Sequence, residues 1–231
     1  MSKIALITGA SSGIGAACAL RFAEGGYDLV LTGRNAQKLQ AVADEAQALG
    51  RLTEAWQEID VLINNAGLAL GLEPEFQGDF EDWDTMIDTN IKGLLNMTRL
   101  IVPGMVERGR GQIINIGSVA GDAAYANGAV YCATKSAVKT LTDGLRIDLM
   151  HTPIRVTNIK PGLVETNFSK VRFHGDVERA SHVYEGIEPL TGADVADVAY
   201  YAASAPAHVQ IAEVLVLATH QASGSNLYRE K

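Results

Sequence analysis

The chain has 231 residues, 47 % of them apolar, with a formal net charge of −8 and a pI near 5.1. That acidity, with 19 basic residues scattered along the chain, argues against a nucleic-acid or anionic-membrane partner. No secretory leader is legible, and the longest apolar stretch, Val198 to Ala212, is broken by Pro206 and His208, so a cytoplasmic protein is expected.

The predicted elements alternate. "KIALITG" reads as a strand, followed by a glycine-rich turn and a helix to about Glu24. "YDLVLTG" is a second strand, and Asn35 to Leu49 a helix closed by Gly50. "IDVLINNAG" is a third strand, and a helical stretch from about Asp79 to Glu107 follows, with an interruption expected near Pro103. "GQIINIGS" is a strand, Val130 to Met150 an amphipathic helix, and "IRVTNIKPG" a strand. Leu163 to Pro189 forms an irregular, partly helical excursion, Thr191 to Ser204 a helix, and "AEVLVLA" the closing strand. Continuous apolar strands alternating with helices predict an α/β fold, a Rossmann-type doubly wound parallel sheet in a single domain, residues 1–231. Cys18 and Cys132 fall in helical segments and read as small buried residues of a reducing compartment.

"ITGASSGIG" sets Gly9, Gly13 and Gly15 between the first strand and the first helix. Glycines there let the backbone turn sharply and approach a pyrophosphate at the helix N-terminus. At the end of the second strand, where NAD-binding folds place an acid, the sequence reads "LTGRN". Asp28 sits at the wrong end of that strand, whereas Arg34 could meet a 2′-phosphate bidentately, which favours NADP.

In "VYCATKSAV", Tyr131 precedes Lys135 by four residues, so both lie on one helix face. Tyr125, Tyr184, Tyr200 and Tyr201 lack a lysine at that spacing. Ser118 ends a strand at the carboxyl edge where doubly wound sheets bind ligands, and Asn90 lies on a helix that could face the same crevice.

"TGASSGIG", "NNAG", Asn90, Ser118, the Tyr131/Lys135 pair and "PG" at Pro161 and Gly162 stand in the order seen in the short-chain dehydrogenase/reductase family, which the chain resembles over nearly its whole length. The resemblance implies catalysis by Asn90, Ser118, Tyr131 and Lys135. It also implies cofactor contacts from Gly9, Ser11, Ser12, Gly13, Ile14, Gly15, Arg34, Asn35, Asn65, Ala66, Gly67, Tyr131, Lys135, Pro161, Gly162, Val164 and Thr166. Chemically, a free phenol with a pKa of about 10 is a poor base at neutral pH, and a nearby lysine cation is expected to lower that value. Ser118 would donate a hydrogen bond to a developing oxyanion, and Asn90 would order a water linking Lys135 to solvent.

"NNAGLALGLEP", "DWDTMIDTNIKGLL", "PGMVERGRGQIINIGS", "VRFHGD" and "PAHV" resemble the NADP-dependent 3-hydroxy acid dehydrogenase branch. That resemblance implies interconversion of a short 3-hydroxy acid and its 3-oxo acid, in a homotetramer. The alternatives are a carbonyl reductase acting on a neutral ketone or alcohol and a catalytically silent NADP-sensing regulator. A carboxylate substrate needs a cation, and Arg172 is the candidate, because Val171 and Phe173 flank it with apolar surface. Lys170, His174 and Arg179 read as solvated loop residues, and the histidines show no metal-ligand spacing, so no metal is expected.

One departure from the family stands out. Only eight residues, "RLTEAWQE", separate Gly50 from Ile59, too few for the strand and helix that the family places there. Either the chain lacks this edge element or residues are missing from the sequence, and the second is the expectation. Asp60 followed by Val61 mimics the spelling of the family's adenine-contact motif but belongs to the strand leading into "NNAG", so no adenine contact is assigned.

Overall fold

The computed structural model describes residues 2–48 and 58–230. Apolar runs set the strands: β1 (Ile4–Thr8), β2 (Asp28–Thr32), β3 (Ile59–Asn64), β4 (Gln112–Ile116), β5 (Arg155–Pro161) and β6 (Glu213–Val216). They pair in parallel throughout, in the order β2-β1-β3-β4-β5-β6. β1 and β4 are buried at every residue, as a sheet covered on both faces requires.

The helices are α1 (Gly13–Glu24), α2 (Ala36–Ala48), α3 (Phe80–Ile87), α4 (Leu94–Arg108), α5 (Ala129–Asp148), α6 (Phe168–Arg172), α7 (Val177–Ser181) and α8 (Gly192–Ser204). One core packs Ala19, Phe22 and Ala23 of α1 and Val195, Ala196 and Ala199 of α8 against Ile7, Ile63, Ile114 and Ile159 of the sheet. The alanines let the two helices approach closely, and Phe22 fills the space with an edge-to-face contact to Tyr27 at 5.0 Å. A second core on the opposite face packs Val102 and Met105 of α4 and Leu145 of α5 against Leu6, Leu62 and Ile113.

Register in the middle of the sheet carries a polar marker. Asn64, Asn115 and Asn158 pair side by side across β3, β4 and β5. Asn64 donates to Asn115 at 2.9 Å, and Asn115 donates to Thr142 of α5 at 2.9 Å. The Asn64 and Asn158 side-chain oxygens are buried with no partner among the described residues. A one-residue slip of β4 would orphan Asn115 as well, so the ladder selects its register.

The expected interruption at Pro103 is not found: Pro103 lies inside α4, on its solvent-facing side, where water can satisfy the carbonyl it frees. The irregularity falls earlier, where Asp88–Gly93 is a π-helical segment joining α3 to α4. Asp60 accepts from the Ile4 backbone and from Arg110 at the start of β3, in keeping with its expected place in that strand. The short connection lies largely in residues 49–57, outside the described residues, as does Gly50, the expected close of α2. Among the described residues, β2 is the last strand on its side of the sheet. No described helix is long and apolar enough to cross a membrane.

Candidate active site

The strand order reverses direction between β1 and β3, and the residues after those two strands face each other. Gly9 has a φ of +66°, and a Cβ there would lie 2.9 Å from the Ala66 Cα. Gly15 is more constrained: its Cβ would lie 2.3 Å from the Gly9 carbonyl oxygen. The turn therefore closes on itself only if both positions lack a side chain. Asn65 holds it shut, donating to the Thr8 carbonyl at 2.9 Å and the Gly9 carbonyl at 3.3 Å, while Thr8 Oγ1 receives the Asn65 and Ala66 amides.

Ser12 occupies the N-cap of α1, yet its side chain makes no capping bond. The first-turn amides are thereby left for an anion, the arrangement that suits a dinucleotide pyrophosphate. Ser11, Gly13 and Ile14 complete this turn, with Gly13 packed beside Thr166 from the segment after β5. Arg34 follows β2, exposed and without an ion-pair partner among the described residues. Its neighbour Asn35 spends its side-chain oxygen on the Lys38 amide at 2.8 Å, opening α2. The Asn35 oxygen is therefore committed to the helix.

Three elements bring the catalytic candidates together. Lys135 reaches across from α5 and donates to the Ile116 carbonyl at 2.8 Å, at the end of β4. Asn90, only 2 % exposed, donates to the Leu68 carbonyl at 2.8 Å and to Thr134 at 3.0 Å, and accepts from the Leu68 amide at 2.9 Å. Its amide ties the π segment to α5 and to the residues after β3. Gly67 lies between them; a Cβ there would stand 3.2 Å from Asn90 Oδ1 and 3.5 Å from Lys135 Nζ. Ser118 adopts an extended conformation just past β4, caps the turn Val119–Gly121 by accepting from the Ala120 amide at 3.1 Å, and faces the Tyr131 phenol.

Burial works against the lowering of the Tyr131 pKa expected from Lys135. Burial raises Tyr131 above the usual phenol range, Tyr125 adds to the rise, and the hydrogen bond from Ser118 and the charge of Arg172 only partly oppose it. Lys135 is buried too, which pulls its pKa down to about 8. Its Nζ stands 6.0 Å from the Tyr131 ring centroid, its proton turned to a backbone carbonyl. Desolvation outweighs the pairwise attraction here.

The segment after β5 supplies the far wall. Pro161 ends the strand, the Gly162 amide donates to Val216, and Val164 bridges to Leu190. Gln221, unremarked in the sequence, accepts from the Leu163 amide at 2.8 Å and fixes this exit. Arg172, at the end of α6, does reach the site: its guanidinium carbon lies 5.9 Å from the Tyr131 ring centroid. It shares a cleft with Gly71, Trp83, Met86 and Tyr131. The rim of that cleft is acidic, with Glu73, Glu75, Asp79 and Asp82. Of the neighbouring basic residues, His174 pairs with Asp82 at 3.0 Å and Arg179 approaches Glu73 at 3.9 Å. Tyr125 was also missed; its partner is distant in sequence and no local spacing marks it. Among the described residues no cluster of His, Cys, Asp or Glu could hold a metal ion.

The short chain dehydrogenase family profile matches residues 3–57 and 45–176. The chain belongs to the short-chain dehydrogenase family. Within it, the chain is 47 % identical over 246 residues to the NADP-dependent 3-hydroxy acid dehydrogenase YdfG of Salmonella typhi, covering 98 % of this chain and 99 % of that protein. That alignment is longer than the 231 residues of the chain, so this relative carries residues that the chain lacks. Sulfoacetaldehyde reductase 2 of Chromohalobacter salexigens is 42 % identical over 243 residues, covering 96 % of each. Among solved structures, the closed form of serine dehydrogenase complexed with NADP+ superposes with a TM-score of 0.87 at 43 % identity, covering 98 % of this chain and all of the other. A dehydrogenase of this family is an oxidoreductase acting on a CH–OH group, and the glycine turn, the uncapped α1 and Arg34 fit a phosphorylated dinucleotide.

Proposed function

We propose that the protein is an NADP-dependent oxidoreductase that interconverts a short 3-hydroxy acid and its 3-oxo acid. The observation that carries the reading is Arg172: a half-buried guanidinium, without an ion pair among the described residues, beside the Tyr131 ring. An unpaired cation at that depth favours an anionic substrate group. Relatives named for a 3-hydroxy acid and for sulfoacetaldehyde, both of which bear an acidic group, support the same choice.

NADP, when bound, supplies the hydride acceptor or donor. The chain's residues do the rest. The Gly9–Gly15 turn and the α1 N-terminus hold the diphosphate, Arg34 the 2′-phosphate, and Lys135 the nicotinamide ribose. Ser118 donates to the substrate oxygen, Tyr131 takes or gives the proton at that oxygen, and Arg172 receives the carboxylate. Asn90 keeps Leu68 and α5 at the spacing this arrangement needs. We place the whole chain, residues 1–231, as one catalytic unit in the cytoplasm. A homotetramer is supported by exposed apolar side chains on and just beyond α4 and α5, among them Leu100, Ile147 and Met150.

A neutral ketone or alcohol is the second reading, favoured by the acidic rim of Glu73, Glu75, Asp79 and Asp82, which repels an anion. The test is NADP+ reduction with serine, allo-threonine, 3-hydroxypropionate and 3-hydroxyisobutyrate against neutral alcohols of similar size. The first reading requires kcat/KM to favour the acids. Preference for the alcohols establishes the second, and NADP binding without any turnover would leave a cofactor sensor.

A further inference from the structure

Arg172 poses a problem of competition. It is a mobile-chain cation in a cleft rimmed by Glu73, Glu75, Asp79 and Asp82, yet it pairs with none of them. A guanidinium near carboxylates ordinarily swings toward one, because a charge-assisted pair is stronger than a neutral hydrogen bond. Something holds it elsewhere.

Two hydrogen bonds do. Arg172 Nη1 donates to the Tyr125 hydroxyl at 2.9 Å, and Nε donates to the Gly71 carbonyl at 3.1 Å. The Gly71 amide in turn donates to the Arg172 carbonyl at 3.0 Å, so the end of α6 is fastened as well. Two of the three guanidinium nitrogens are thus engaged, and Nη2 has no partner among the described residues, which leaves it for a ligand. The guanidinium carbon lies 5.5 Å from the Tyr125 ring centroid and 5.9 Å from that of Tyr131, attracted by both faces.

Resting on the carboxylate reading above, we propose that Tyr125 is a positioning residue: its hydroxyl holds Arg172 off the acidic rim and so sets the site's preference for an anionic substrate. The ring is well suited to this. It packs against the cluster of Leu68, Met86, Ala120, Tyr131 and Cys132. It also lies directly over Gly128, where a Cβ would come within 2.1 Å of Tyr125 Cε2. Gly128 has a φ of −120°, open to any residue, so the absence of a side chain there serves the ring and not the backbone. Burial raises the Tyr125 phenol, against the opposing pull of Arg172, which keeps it a neutral acceptor. Without that hydroxyl, the guanidinium keeps only the Gly71 carbonyl as a hydrogen-bond partner among the described residues and is free to turn toward the acidic rim.

The test compares kcat and KM for 3-hydroxypropionate and for 1,3-propanediol in the full-length enzyme. The variants are Tyr125→Phe, Gly128→Ala, Arg172→Leu and Tyr125→Phe combined with Arg172→Leu. Tyr125→Phe should raise the KM for the acid about tenfold, with kcat held within about twofold and the diol KM unmoved. Gly128→Ala, which displaces the ring while keeping the hydroxyl, should shift the acid KM in the same direction. The double variant should be no worse than Arg172→Leu alone, since the hydroxyl then has nothing to hold. Equal KM increases for acid and diol, or additive losses in the double variant, overturn the proposal. If Arg172→Leu raises the acid KM and Tyr125→Phe does not, the proposal fails alone. If Arg172→Leu leaves the acid KM unchanged, the carboxylate reading fails and takes the proposal with it.

Discussion

The Lys135 ammonium donates to the Ile116 carbonyl at 2.8 Å while standing 6.0 Å from the ring centroid of Tyr131, one helical turn away on the same helix. The two groups share a burial problem before they share any chemistry. Burial pulls the lysine down to about 8 from 10.5 and lifts the phenol above 10. Both shifts disfavour the charged form.

That shift predicts how stability depends on pH. Below about 8, Lys135 is protonated in both states, and the folded state carries the full cost of burying the charge. A shift of that size corresponds to a net cost of roughly 3 kcal/mol, the bond to Ile116 included. Between about 8 and 10.5, the folded state has released the proton and the unfolded chain still holds it, so stability rises with pH. Lys135→Met should lose this rise. Chemical denaturation of both proteins from pH 7 to 10.5 should show the variant's relative stability falling across that window; a difference independent of pH would mean Lys135 titrates normally.

Tyr131→Phe removes one hydroxyl from a buried site and leaves the ring's contact with Phe168, 5.6 Å between centroids, in place. Turnover should fall by about 100- to 10,000-fold, the range for losing a proton-transfer group. NADPH titrated by fluorescence should bind nearly as before. Near-normal turnover would remove Tyr131 from the mechanism.

Arg34 is exposed and pairs with no acid among the described residues. Arg34→Ala should therefore leave stability unchanged and weaken NADPH binding by about tenfold or more, while NADH binding changes little. Equal losses for the two cofactors would show that Arg34 does not read the 2′-phosphate.

Gly15→Ala forces a methyl carbon to within 2.3 Å of the Gly9 carbonyl oxygen and 2.5 Å of the Asn65 amide. Neither neighbour can yield without opening the turn that Asn65 holds. The variant should melt several degrees lower and bind NADPH at least tenfold more weakly. An unchanged titration curve would mean the turn is not the diphosphate cradle.

The parts of this molecule that were legible in sequence are those governed by local pattern. Continuous Ile/Leu/Val runs marked the strands, the glycine spacing marked the first turn, and the four-residue interval marked Tyr131 and Lys135 as neighbours. What escaped depends on distance along the chain. Tyr125 meets Arg172 across 47 residues, and Gly71 meets it across 101, so no window contains the clamp. The four-residue interval shows that Lys135 and Tyr131 are adjacent and not how strongly burial opposes their charged forms. Pro103 misled for a related reason: its cost depends on which face of α4 it occupies, and it occupies the exposed one.

The π-helical turn at Asp88–Gly93 has a further meaning. Bonding i to i+5 accommodates one residue more than an α-helix holds in the same length, so α3 and α4 together behave as a single helix that has absorbed an insertion. Excising one residue there would restore regular bonding, and local helix propensity would favour it. Because the wide turn already absorbs that residue, the helix downstream would keep its facing, with Val102 and Met105 still turned to the second core. What would change is the turn itself, which carries Asn90, and straightening it would cost that side chain either Leu68 or Thr134. The smoother helix would be the less functional one, so a single-codon deletion beside Asn90 should cost activity more than it costs stability.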